Sequence, residues 1–379
     1  MGKNSKENRI IYVIDSLGRG GAQAALIYLI QALSKKNYKQ RIYSLNNVIH
    51  PEHEQALIEC GTELRVIGKI SLSSGIGLLR MLYDWVTWKP TIVFTLLFYS
   101  DVIGRSIAKI AFIPIIVSSI RARNIDKKSW QLHLDRVTAP WADKVIFNSK
   151  NTIPFAIQNE GVQEEQVVYI PNGVNIESFK AFQIKRLTKC DELGISAEAL
   201  IIGSIGRLNP QKGFSYLLQA FQIIQQRFPQ CLLLIIGSGA LLKTLESLVE
   251  KMNLSTKVKF LGERTDIPEL LSCMDVYVQS SLFEGMPNTV MEAMATGKPV
   301  VATSVDGSLE LIEEGKTGWL VEPRNSKLLA EKICDVLNNP EIAKQVGLAA
   351  AERMTKEFSI EKMAQSYNNL FHKLIKDKL

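Results

Sequence analysis

Short β-branched apolar runs alternate with helix-length amphipathic stretches along nearly the whole chain. The apolar runs predict strands at 10–16, 40–46, 63–67, 91–97, 114–119, 144–149 and 166–170 in the first half. In the second half they predict strands near 200–205, 231–236, 257–261, 276–280, 299–303 and 318–321. Helical spacing is plainest at 21–34, 75–88 and 129–141. Runs such as Cys231–Ile236 lack polar alternation, which suits strands covered on both faces, as in parallel sheets. This rhythm predicts an α/β protein built from two doubly wound, Rossmann-like domains. The turn-rich segment Pro171–Asn175 falls midway and reads as the linker. The expected division is 1–172, 173–357 and a last helix over 358–379 that crosses back to pack on the first domain.

Composition narrows this picture. The chain has 379 residues, 46% hydrophobic and 22% charged, which excludes both disorder and a small stapled scaffold. Its five cysteines are scattered, with no C-x-x-C pair, so free thiols in a reducing compartment are expected and no metal site is. The apolar stretch Ile10–Ile14 is too short for a signal-peptide core. Thr91–Ile120, the nearest candidate for a membrane span, is broken by Asp101, Arg105, Lys109 and Pro114. A cytoplasmic protein, soluble or peripheral at the inner face of the plasma membrane, is expected.

The formal charge of +7 is uneven. Residues 1–178 carry 21 basic and 15 acidic side chains, whereas residues 179–379 carry 24 and 23. An anionic partner is therefore expected on the first half. Nucleic acid is disfavoured, because no motif or aromatic-interleaved basic run is present. Segment 75–88 combines Ile76, Leu78, Leu79, Leu82, Trp85 and Trp88 with Arg80, and Lys89 follows it. It reads either as a core-facing helix or as an interfacial one against anionic lipid. His133 lies in a helical pattern and reads as structural.

The most informative stretch is Ser280–Pro299. A strand ends, a glycine-containing loop follows, Pro287 suits a first helical turn, and Gly297 ends a helix of about ten residues. The amides of Met286, Pro287's successors Asn288 and Thr289, and the Gly285 loop would form a phosphate-binding helix start. Glu284 precedes that helix. Glu292 lies within it among Val290, Met291, Ala293, Met294 and Ala295, where a lone carboxylate wants a specific hydrogen-bond donor. In the first half, Gly18-Arg19-Gly20-Gly21-Ala22 follows the first strand, and its spacing does not match a dinucleotide fingerprint.

The frame Phe-Glu284-Gly-Met-Pro-Asn…Glu292-Ala-Met-Ala-x-Gly-Lys-Pro resembles the signature of glycosyltransferase family 4. The resemblance extends through Gly206-Arg207-Leu208…Lys212-Gly213, Phe260-Leu261-Gly262, Val305-Asp306-Gly307 and Gly315–Val321. It implies the GT-B fold, two Rossmann-like domains facing a cleft, and a retaining, metal-independent enzyme. The donor would be a nucleotide diphosphate sugar, with uridine diphosphate favoured and a hexose or N-acetylhexosamine as the sugar. It would be a substrate, and no cofactor is implied. The acceptor would be a glycan hydroxyl, carried on a lipid diphosphate in bacterial polysaccharide, lipopolysaccharide or capsule synthesis.

By the same resemblance Glu292 would accept from the ribose hydroxyls and Glu284 would contact the donor sugar. Arg207 and Lys212 would hold the diphosphate, so Arg207, Lys212 and Glu284 form the expected catalytic set. Gly20, Gly21, Arg264, Gly285, Met286, Pro287, Asn288 and Thr289 complete the donor site. The family's frequent first-domain His is replaced by Ser118–Asn124, Gln23 stands where Glu is common, and Asn175 where Asp is common. Arg19, Tyr99, Ser100, Arg121, Arg123 and Asn124 are then the expected acceptor contacts. Two alternatives stay open, a sugar-nucleotide epimerase of the same fold and a catalytically inactive partner subunit.

Overall fold

The computed structural model describes residues 8–36, 38–122, 127–180, 186–196 and 198–379. The chain divides into two compact units, Met1–Gly173 with Ile360–Leu379, and Val174–Ser359. Each is built on one fully parallel sheet.

The sheet of the first unit holds β1 (Asn8–Ile14), β2 (Tyr38–Ser44), β3 (Glu63–Val66), β4 (Ile92–Leu96), β5 (Ile115–Ile120), β6 (Lys144–Phe147) and β7 (Val167–Tyr169), in the order β3-β2-β1-β4-β5-β6-β7. The second unit holds β8 (Ile201–Ile205), β9 (Leu232–Ile236), β10 (Val258–Phe260), β11 (Val276–Gln279), β12 (Val300–Thr303) and β13 (Trp319–Val321), in the order β10-β9-β8-β11-β12-β13. Every expected strand is present. β1 and β2 begin two residues earlier than their apolar runs, because Asn8 and Arg9 pair with Tyr38 and Lys39 through backbone alone. They also end two residues earlier, at Ile14 and Ser44.

Helices of the first unit include α1 (Gly21–Ser34), α2 (Pro51–Glu59), α3 (Lys69–Ser73), α4 (Ile76–Trp88), α5 (Phe98–Ile110) and α6 (Ser129–Thr138). The expected helix over 129–141 stops at Thr138 and tightens into a 3₁₀ turn over Ala139–Trp141, with Pro140 inside it. His133 stands exposed on α6, outside the core. Helix α4 has two faces: Gly77, Met81 and Trp85 are buried, while Ile76, Leu79, Tyr83 and Val86 are exposed. Asp101 and Arg105, which interrupt the long apolar stretch, lie on α5 and are buried. Arg105 donates to Ser118 Oγ at 2.7 Å and pairs with Asp101 and Asp135 at 3.6 and 3.7 Å. No helix among the described residues is long and apolar enough to cross a membrane.

The C-terminal helix, Ile360–Lys378, packs into the first unit through Met363, Tyr367, Phe371 and Leu374. Its rings meet those of the sheet edge-on, Phe94 to Tyr367 at 5.7 Å and Tyr38 to Phe371 at 6.4 Å, the favoured aromatic geometry. Asn368 accepts from Tyr38 Oη at 3.1 Å. Phe371 is fully buried, so Phe371→Ala is expected to destabilise the first unit by about 3–5 kcal/mol. Urea unfolding followed by circular dichroism reads this as a lower midpoint. A midpoint equal to the wild type would remove the helix from the core.

Candidate active site

In open α/β sheets, ligand crevices form outside the carboxyl ends of strands where the strand order reverses. In the second unit that point lies between β8 and β11. The loops leaving these two strands carry Gly206–Gly213 and Ser280–Pro287. Gly213 adopts φ 62°, and a Cβ there would lie 2.1 Å from the Ser280 carbonyl, so only glycine allows the loops to touch. Ser280 Oγ donates to the Lys212 carbonyl at 2.9 Å, and Leu282 N donates to the Gln211 carbonyl at 2.7 Å.

This contact brings Lys212 Nζ to 2.5 Å from Glu284 Oε1. Glu284 is only 6% exposed, so its charge requires partners. Ser281 Oγ donates to the same oxygen at 2.7 Å, and Gln279 Nε2 at 3.3 Å. Gln211 Nε2 donates to Oε2 at 3.5 Å. Backbone placement comes from the other side: Glu284 N donates to Asp306 Oδ2 at 3.2 Å, and Gly307 N donates to the Gly285 carbonyl at 2.8 Å. A Cβ on Gly307 would stand 2.1 Å from that carbonyl.

The helix after this loop is Asn288–Ala295, shorter than expected, with Pro287 at its N-cap rather than in its first turn. Val290, Met291, Ala293, Met294 and Ala295 are buried. Glu292 is partly covered, and burial pushes its carboxyl up to about 7. Among the described residues no side chain donates to it. Arg207, directly after β8 and Gly206, is exposed. Arg264 is held by acids of its own unit. It donates to Asp266 at 2.8 and 2.6 Å and to Glu192 at 3.1 Å, holding the Asp266 carboxyl well below the usual range. Its side chain remains 30% exposed.

The first unit reverses strand order between β1 and β4. The glycine loop follows β1, and α1 starts at Gly21 with Gly20 as its extended N-cap. Arg19 is exposed, and its Nε donates to His50 Nε2 at 2.6 Å. Tyr99, in the first turn of α5, is 52% exposed. Two expected acceptor contacts are corrected here. Ser100 is fully buried and gives both its amide and its hydroxyl to Asp15 Oδ1, each at 2.7 Å. Arg121 is buried and donates to Asn172 at 2.8 Å and to Tyr367 Oη at 3.1 Å, tying the end of β5 to the C-terminal helix. Arg123 and Asn124 lie outside the described residues.

Residues 19–178 match Glycosyltransferase Family 4, and residues 186–353 match Glycosyl transferases group 1. The chain belongs to the GT-B glycosyltransferases of the family 4 type. An Escherichia coli UDP-Gal:alpha-D-GlcNAc-diphosphoundecaprenol alpha-1,3-galactosyltransferase is 30% identical over 59% of this chain and 60% of its own. The first curated relatives are matched over 60 to 65% of their length. The Staphylococcus aureus capsular polysaccharide biosynthesis glycosyltransferase CapM is 26% identical over 92% of this chain and 93% of its own. The fold is shared with Anabaena Alr3699/HepE, solved with UDP-glucose, at TM-score 0.86 and 24% identity over 96% of this chain and 99% of that one.

In the second unit three of the residues that set Glu284 in place carry no sequence signature of that role: Gln211, Gln279 and Asp306. The fourth, Ser281, could have been found, because a hydroxyl three residues before a buried carboxylate is a natural local donor. Asp15 and His50 carried no such signal, since their partners arrive from other loops.

Glu292 gives a signed pH prediction. Its folded pKa of about 7 lies above the ordinary 4.5, so the folded state holds a proton that the unfolded state has lost. Stability from this group is full below the unfolded value and falls as pH rises through the folded one. Glu292→Gln should therefore melt higher than wild type at pH 8, by about 1–3 kcal/mol, and match it near pH 4.5. Equal melting of both proteins at pH 8 would contradict this. Gly307→Ala should displace the Gly285 loop and destabilise the second unit by about 1–3 kcal/mol in urea unfolding. An unaltered midpoint would show that the loop tolerates the methyl group.

Proposed function

We propose that this protein transfers a hexose or N-acetylhexosamine, with retention, from a uridine diphosphate sugar to a hydroxyl of a lipid-diphosphate-linked glycan. The observation that carries the reading is the pairing of Lys212 with Glu284 at the second unit's switch point. One helix turn or two further on stands Glu292, whose carboxylate has no donor among the described side chains. In this reading Glu292 accepts from the ribose hydroxyls, Glu284 contacts the sugar, and Lys212 with Arg207 holds the diphosphate. The amides of Met286, Asn288 and Thr289 add a helix N-terminus to the same charge.

The bond from the anomeric carbon to the β-phosphate oxygen breaks as the acceptor oxygen bonds to that carbon from the same face. The acceptor proton passes to the departing phosphate oxygen. Fixed cations and amides stabilise the charge that develops there, with no reorganisation during the reaction. No metal is needed in this scheme. Arg19 and Tyr99 of the first unit are the acceptor-side residues left exposed, with the acceptor presented at the inner face of the plasma membrane and Gly20 and Gly21 facing the donor. Support for a lipid diphosphate comes from the E. coli relative, whose named acceptor is diphosphoundecaprenol-linked. The basic first half has matching charge.

Lys212→Ala is expected to lower kcat at saturating donor by about 10²–10³-fold. Near-normal turnover would remove Lys212 from leaving-group stabilisation. Glu292→Ala should weaken UDP-glucose binding about ten- to a hundredfold by calorimetry, the range for a hydrogen bond to a charged group. Chromatography of a nucleotide-sugar panel incubated with the protein checks the reaction class. Released UDP supports transfer, whereas an epimerised nucleotide sugar overturns it.

A further inference from the structure

The first unit carries an exposed apolar face that its own core does not use. Along α4, Ile76, Leu79, Tyr83 and Val86 are 52, 68, 73 and 50% exposed. Their spacing of three, four and three residues sets them on one side of the helix, opposite buried Gly77, Met81 and Trp85. Just before α4 in the chain, Ile70 of α3 is 87% exposed and Val66 at the end of β3 is 42% exposed. Isolated exposed apolar residues are ordinary, but six on one contiguous segment of 21 residues are not.

The exposed charges on the same segment have one sign. Lys69, Arg80 and Lys89 are exposed. The only acid from 67 to 89 is Asp84, which is turned inward, with Oδ2 2.8 Å from Arg41 Nη1 and accepting from Tyr43 Oη. A second protein would meet an apolar stripe with no acidic group to orient it. An anionic bilayer fits every element: acyl chains for the aliphatic residues, headgroup level for Tyr83, and phosphates for the cations.

We infer that α3 and α4 form a docking face for an anionic phospholipid surface, with α4 lying in the interface plane. Because the sheet is parallel, the segment after β3 begins at the same edge as the glycine loop and Arg19. Docking through Val66, Ile70 and Ile76 therefore holds that edge beside the headgroups, where a lipid-borne diphosphate would be presented. The face rests on its own exposure and charge, and its role in acceptor delivery rests on the proposed transfer reaction.

Flotation with vesicles tests it on the full chain. Wild type should bind phosphatidylcholine vesicles containing phosphatidylglycerol and be released by high salt. Pure phosphatidylcholine should bind it weakly. Each cation near such a surface is worth about a fivefold change in binding, so K69E/R80E should lose more than twentyfold. L79E/V86E should abolish binding while melting and UDP-glucose affinity stay as in wild type, which shows that the fold is intact. Absent wild-type binding, or variants that float like wild type, would overturn the docking face. So would light scattering showing a wild-type dimer that L79E/V86E converts to monomer, because a second copy would then cover the stripe. Loss of vesicle binding with donor turnover retained removes this inference alone; vesicle binding without any donor turnover removes the transfer reaction alone.

Discussion

A carboxylate at 6% exposure must be answered by donors, and the arrangement around Glu284 is what that requirement produces. Lys212, Ser281, Gln279 and Gln211 all address it, from two loops that meet only because Gly213 lets the backbones touch. Asp306 and Gly307 fix the same segment from behind. A buried ion pair adds little net stability, since desolvation offsets the attraction. What it contributes is position, with one ammonium and one carboxylate held at a strand end where the fold already converges.

The two units use the same topology differently. Each sheet reverses order once, and each reversal puts a glycine-containing loop beside a second strand end. In the second unit that edge gathers charge: Lys212, Glu284, exposed Arg207 and a half-covered Glu292. In the first, polar groups turn inward. Asp15 caps the start of α5 through Ser100, and Leu97 ahead of it adopts φ 75°, a strained conformation for a branched residue. Burial raises the Asp15 carboxyl, and the Ser100 bonds oppose that rise. Deeper in this unit burial pushes Asp101 up to about 6, with the Arg105 guanidinium acting against it. Exposed cations of this unit include Arg19 on the glycine loop and Lys69 and Arg80 on the α3–α4 face.

That division matches the proposed donor, small and of fixed shape, and the proposed acceptor, large and anionic. A nucleotide sugar asks for a few placed groups. A lipid-borne glycan asks for an approach route more than a pocket, and a basic, apolar flank provides one. Under the proposed reaction, the uneven charge of the chain follows from where each substrate would meet it.

Alternation of apolar runs and helical stretches was enough to determine both sheets. A parallel strand buried on both faces leaves a short continuous apolar run, and its length, β-branched content and flanking turns mark it as strand rather than buried helix. The glutamates were legible too, because a carboxylate amid Val290–Ala295 conflicts with its surroundings unless a partner is supplied. Tertiary structure alone decided which polar groups remain free. Arg121 meets Tyr367 across 246 residues, Ser100 meets Asp15 across 85, and Arg264 meets Glu192 across 72. Periodicity records which face of an element is buried. It carries no record of which donors are already bonded, since those bonds are made between loops brought together only by folding.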